Sequence, residues 1–127
     1  MSVTSRNPAS AYQERMVQTA NGPRLLVMLC DRLAVDVVRA EVALEAHDLK
    51  SVNDSLQHAQ RIVRVLRTAL EPEGFTGGRE LLSVYVFLEN HLVKANLEKS
   101  VEVIRECANL IEPIRNAWTK AVQNEGE

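Results

Sequence analysis

At 127 residues the chain fits one domain, large enough for an apolar core without metal or disulfide staples. A net charge of −2, with both signs interspersed, gives no basic stripe to displace phosphate counterions and argues against nucleic-acid binding. Met1–Ser10 is polar and lacks the apolar core of a signal peptide, and no run approaches the length of a membrane span, so the expected location is cytoplasmic, without membrane insertion.

The composition divides the chain into a polar N-terminal segment (1–22), a helical body (23–123) and a short polar tail (124–127). Within the first segment a short helix is expected over Ala9–Gln18. Its apolar content is little more than Tyr12, Met16 and Val17, so it must lean on the rest of the protein. The next segment, about Arg24–Ala46, places Leu26, Cys30, Leu33, Val37, Ala40 and Leu44 at alternating steps of four and three, the spacing of a helix packed in a bundle. A second apolar row, Met28, Val35, Val38 and Val42, lies on an adjoining face. One seam cannot bury both rows, and the surplus points to a partner.

His47 and Asp48 make a very short connection, with Asp48 placed to cap the next helix. That helix carries Leu49, Val52, Leu56, Ala59, Val63, Leu66 and Leu70, broadened by Ile62, Val65 and Ala69. Pro72, Gly74, Gly77 and Gly78 end it in a loop that lacks the spacing and the Lys-Ser/Thr of a phosphate-binding loop. A third helix starts near Arg79 with Leu81, Tyr85, Leu88, Leu92 and Ala95 on one face. Asn96–Ser100 reads as a connection, and a fourth helix carries Ile104, Cys107, Ile111, Ile114, Trp118 and Ala121. Pro113 falls inside it, where the missing N–H and the ring predict a kink or a short break. The fold expected is all-α: an antiparallel up-down-up-down four-helix bundle with a short N-terminal helix.

Catalytic constellations are largely absent from the pattern. A di-iron bundle needs Glu-x-x-His, whereas His47, His58 and His91 follow Leu44, Ser55 and Leu88 at that spacing. Cys30 and Cys107 occupy core positions without CxxC pairing and read as buried reduced thiols. No metal or other cofactor is implied. The most enzyme-like feature is His91-Leu92-Val93-Lys94, which is similar to the active helix of histidine phosphotransfer bundles, with Ala95 where a small access residue, usually glycine, is expected. The plainer reading is an amphipathic helix with a solvent-facing His91 and Lys94.

One resemblance spans almost the whole chain. Ala11-Tyr12-Gln13, Val17, Thr19-Ala20 with Pro23, Leu26-Val27-Met28-Leu29-Cys30-Asp31, Ala43-Leu44-Glu45 before Asp48, Gly77-Gly78, Val84-Tyr85, Leu92, Ala95-Asn96, Leu110, Arg115 and Ala117-Trp118 stand in the order and spacing of the flagellar export chaperone family FliS. Cys30, His47, Val86-Phe87 and Ser100 stand where that family usually has tyrosine, glycine, Asp-Tyr and aspartate. The resemblance implies a non-enzymatic, cytoplasmic secretion chaperone. Such a chaperone binds the disordered C-terminal segment of flagellin, prevents its premature polymerisation and supports its export, with other flagellar regulators or export components as further candidate partners. The wall expected to receive the client comprises Met28, Val35, Val38 and Val42 with Ile62 and Val65, although each of these can equally widen the core. Tyr12 is expected either to plug this groove in the free protein or to anchor the first helix. A phosphotransfer bundle using His91, or a generic helical adaptor, is the alternative.

Overall fold

The computed structural model describes residues 22–125, and among them there are four helices and no strand. They are α1 (Gly22–Glu45), α2 (Leu49–Ala69), α3 (Gly78–Glu98) and α4 (Val101–Glu125). The expected Ala9–Gln18 helix and Tyr12 lie outside the described residues. Sequential helices pack side by side and α4 closes against α1, which gives the expected up-down-up-down bundle; α3 against α4 is the loosest of the four pairings.

The heptad positions explain the core. Leu33, Val37, Leu56, Val63, Leu88, Leu92, Ile104 and Ile111 are essentially inaccessible to solvent, and side chains of this size contribute about 1.5–3 kcal/mol each on full burial. Four details differ from the sequence reading. Leu49, in the first turn of α2, is exposed, and Ala43 is buried where Leu44 is only partly so. Helix α4 continues through Pro113 without a break. The α3–α4 connection is shorter than expected: Asn96 belongs to α3, leaving Lys99 and Ser100 as the link.

Both short links depend on a residue with positive φ. At the end of α1, the His47 N–H reaches the Leu44 carbonyl at 3.0 Å and the Asp48 N–H reaches the Ala43 carbonyl at 2.9 Å, with His47 at φ 56°. This is the Schellman arrangement, whose left-handed position favours glycine. It gives the physical reason for a glycine before the aspartate, and marks His47 as a strained substitute. His47→Gly is therefore expected to raise stability by about 0.5–1 kcal/mol, measured by urea denaturation. Lys99 takes the same conformation (φ 51°) before α4, where Ser100 Oγ accepts the Val103 N–H at 3.2 Å and caps the helix.

Asp48 begins α2 as expected. Its carboxylate accepts the Ser51 N–H at 3.2 Å and the Ser51 hydroxyl at 2.7 Å, and the hydroxyl bond followed by the backbone one holds its pKa below the ordinary value. A depressed carboxylate stabilises above its unfolded pKa and loses that contribution as pH falls through the folded one. Asp48→Ala is expected to lower Tm by a few degrees at neutral pH, and the gap to narrow below about pH 4. At the start of α3, Gly77 has φ 89° and a Cβ on Gly78 would collide with the Pro72 carbonyl, so the Gly77-Gly78 pair is what lets the loop fold back over the bundle end.

Candidate functional site

The second apolar row of α1 is on the surface. Met28, Val35, Val38 and Val42 are 64, 42, 60 and 61 % exposed. They recur at i, i+7, i+10 and i+14, so they follow one outward-facing line of the helix. Ile62 does not join them: at 6 % exposure it belongs to the core. Val65 is half-buried. The apolar wall of this face is therefore carried by α1 alone.

The row is bordered by polar groups that fix α1 between its neighbours. On one side Asp36, 1 % exposed, receives the Arg32 Nε–H at 3.1 Å and lies 2.5 Å from His58 Nδ1 of α2. On the other, Asp31 accepts from Arg115 at 2.5 Å and Glu41 from Arg105 at 3.1 Å, both on α4. The exposed pairs contribute little individually. The Asp36 group is different, because a buried carboxylate is tolerable only with its partners in place, and it thereby holds the α1–α2 register. A single aspartate within an apolar run does not disclose this role, since its partner is twenty-two residues away.

Other apolar openings were not anticipated from sequence. At the loop end of the bundle, Leu26, Leu66, Leu70, Phe75, Tyr85 and Trp118 border a cavity of about 210 Å³. Phe75 also lines a second opening of about 270 Å³ on the α3–α4 side, with Leu81, Ile114 and Trp118. Tyr85 is buried and its hydroxyl accepts the Trp118 Nε1–H at 3.1 Å. Burial pushes the Tyr85 phenol up to about 12, so it stays neutral at physiological pH. The sequence signal for Phe75 was weak, an aromatic within a Pro- and Gly-bearing loop.

His91 does not face solvent freely. Its ring stacks on Phe87 at 5.2 Å between centroids, its Nε2 lies 2.7 Å from Glu106 Oε1, and its side chain is only 14 % exposed. A phosphoryl acceptor needs an accessible ring nitrogen and cationic surroundings, whereas here a carboxylate occupies that nitrogen and would repel an incoming phosphoryl anion. The phosphotransfer reading therefore has no support in this geometry. Cys30 and Cys107 are buried and unpaired, and burial raises both thiols to about 12, which removes the thiolate needed for nucleophilic or redox chemistry. Among the described residues no group of three or more His, Cys, Asp or Glu side chains is placed to hold a metal, and no helix is long and apolar enough to cross a membrane.

The candidate site is thus an exposed apolar line on a helical bundle rather than a set of reactive groups. The family model described as "Flagellar protein FliS" matches residues 5–125. The chain belongs to the FliS family. It is 28 % identical over 120 residues to the flagellar secretion chaperone FliS of Bacillus subtilis (strain 168), covering 94 % of this chain and 90 % of that one. It is 30 % identical to the protein of the same description from Salmonella typhimurium (87 % and 83 % covered) and 27 % identical to that of Escherichia coli K12 (86 % and 82 %). FliS is a family of chaperones, not of enzymes, which agrees with the character of the surface. Membership of this family implies a flagellar protein partner.

Proposed function

We propose that this FliS protein is a cytoplasmic chaperone that binds the disordered C-terminal segment of flagellin, prevents its premature polymerisation and supports its export. The observation that carries this reading is the α1 line of Met28, Val35, Val38 and Val42, solvent-exposed on a member of a secretion-chaperone family. A disordered amphipathic segment that becomes helical on this line exchanges its ordering entropy for burial of its own apolar face. At about 25 cal/mol per Å² removed from water, a few such anchors offset much of that cost. Val65, half-buried on α2, and Ile62, in the core, stand apart from that line. Other flagellar regulators or export components are further partners of the same chemistry.

Tyr12 is the proposed plug of the free protein. Nine residues, 13–21, lie between it and the start of α1, a span of up to about 35 Å. The Tyr12 ring would occupy part of the apolar α1 groove, so that a client must displace the segment to bind. Tyr12→Ala is expected to raise self-association, read by sedimentation, or to change the on-rate for flagellin, read by stopped flow. A variant unchanged in both removes the plug, and lost thermal stability alone assigns Tyr12 to anchoring.

The function is tested by following flagellin polymerisation by light scattering, with short filament seeds. An equimolar amount of the chaperone is expected to suppress growth. An unaltered growth curve with a folded chaperone contradicts the proposal.

A further inference from the structure

A second surface differs in character from the α1 line. On α3, Val86, Val93 and Leu97 are 43, 38 and 81 % exposed. Val86 and Val93 stand one turn to either side of Glu89, and Val93 and Leu97 flank Asn96. Glu89 and Asn96 are the α3 residues that reach α2: Glu89 accepts from Arg64 at 3.3 Å and Arg67 at 2.9 Å, and Asn96 donates to Asn53 at 2.8 Å. The exposed apolar row therefore borders the α2–α3 seam, away from the α4 side where Phe87 and His91 lie.

The α2 edge of that seam is cationic. Arg61, Arg64 and Arg67 recur at steps of three, and the carboxylate set between the last two is Glu89 alone, 16 % exposed. Arg64 remains 57 % and Arg67 36 % exposed, and Arg61 is exposed. Nearby acids are matched by their own cations, Asp54 by Lys50 and Glu73 by Arg79. An apolar row beside a guanidinium row that one carboxylate only partly compensates is complementary to a helix with acidic residues flanking its apolar stripe.

We infer that the α2–α3 seam is a second docking surface, separate from the α1 client line, for an acidic amphipathic helix of another protein. The apolar stripe of that helix lies on Val86, Val93 and Leu97, and its carboxylates face Arg61 and Arg64. The guanidinium fork favours carboxylates over other groups and selects against basic helices by repulsion. The apolar row of this surface sits on α3, diagonal to α1 in the bundle, while its cationic edge sits on α2.

The test uses the full chain and a fluorescein-labelled, designed eighteen-residue amphipathic helix with Leu at i, i+4, i+7 and i+11 and Glu flanking them, beside a counterpart with Lys for Glu. Anisotropy titration is expected to show saturable binding of the Glu helix, at least tenfold weaker binding of the Lys helix, and weakening as salt rises from 20 to 300 mM. Arg61→Glu/Arg64→Glu and, independently, Val86→Ser/Val93→Ser are each expected to reduce affinity at least tenfold, with helical circular dichroism retained. Absence of binding, equal binding of the two helices, or indifference to both double variants overturns the inference. Competition by the flagellin C-terminal segment also overturns it, because the seam would then belong to the client.

Discussion

Replacing Val35 and Val38 together by aspartate is expected to weaken binding of the flagellin C-terminal segment at least a hundredfold while moving Tm by less than about 3 °C. The two effects separate because the two side chains are largely in water in the free protein, at 42 and 60 % exposure, so the bundle loses little packing when they change. In the proposed complex the same positions are covered, and each aspartate must shed water against an apolar face without a partner. That penalty adds to the lost apolar burial, and a hundredfold change corresponds to only about 2.7 kcal/mol in all. Calorimetric titration of the variant beside thermal melting checks both halves. Retained affinity would move the client site off α1.

Tyr85→Ala is expected to cost about 3–5 kcal/mol of folding stability, the largest single-residue effect proposed for this bundle. Tyr85 is 1 % exposed and stands against a cavity that already exists, so removing the ring enlarges an apolar void rather than closing it. Tyr85→Phe keeps the ring and loses only the hydrogen bond from Trp118, for which about 0.5–1.5 kcal/mol is expected, since the half-buried indole N–H can turn to water. Because burial raises the phenol to about 12 from an ordinary 10, the sign of the alkaline effect is fixed. Tyr85 stabilises fully below about pH 10, and that contribution is lost as pH rises through the folded pKa. Tyr85→Phe should therefore flatten part of the alkaline fall in stability, and chemical denaturation between pH 8 and 11 measures it.

Most of the fold is legible in residue spacing because every core-facing stripe, Leu26 to Ala40 on α1 for example, repeats at helical intervals and every connection is short. The misplacements have local causes. Leu49 continues the apolar rhythm of α2, but it lies in the first turn, where the helix has only just left the link and is not covered. Ile62 was grouped with the outer wall because it widens the stripe, and the close approach of α1 to α2 buries it. Pro113 lies in a single continuous helix.

The surfaces are less legible than the core, for a physical reason. Exposure of Met28, Val35, Val38 and Val42 follows from their phase on one helix, so periodicity could place them. The Asp36–His58 pair, the Phe75–Trp118 cavity and the Arg61–Val93 seam each join residues from different elements, and nothing in the local pattern of either partner announces the other. His47 shows the intermediate case: its replacement of a usual glycine was visible, while the left-handed backbone that explains it required the structure.

We propose that this protein holds the C-terminal segment of flagellin on the α1 line by coupled folding. Calorimetric titration of the full chain with that segment, paired with far-UV circular dichroism of the mixture against the sum of its parts, tests it most directly. Saturable binding with a gain in helix is expected, both lost in the Val35→Asp/Val38→Asp variant. A folded protein and an intact segment that mix without heat, saturation or added helix would contradict it.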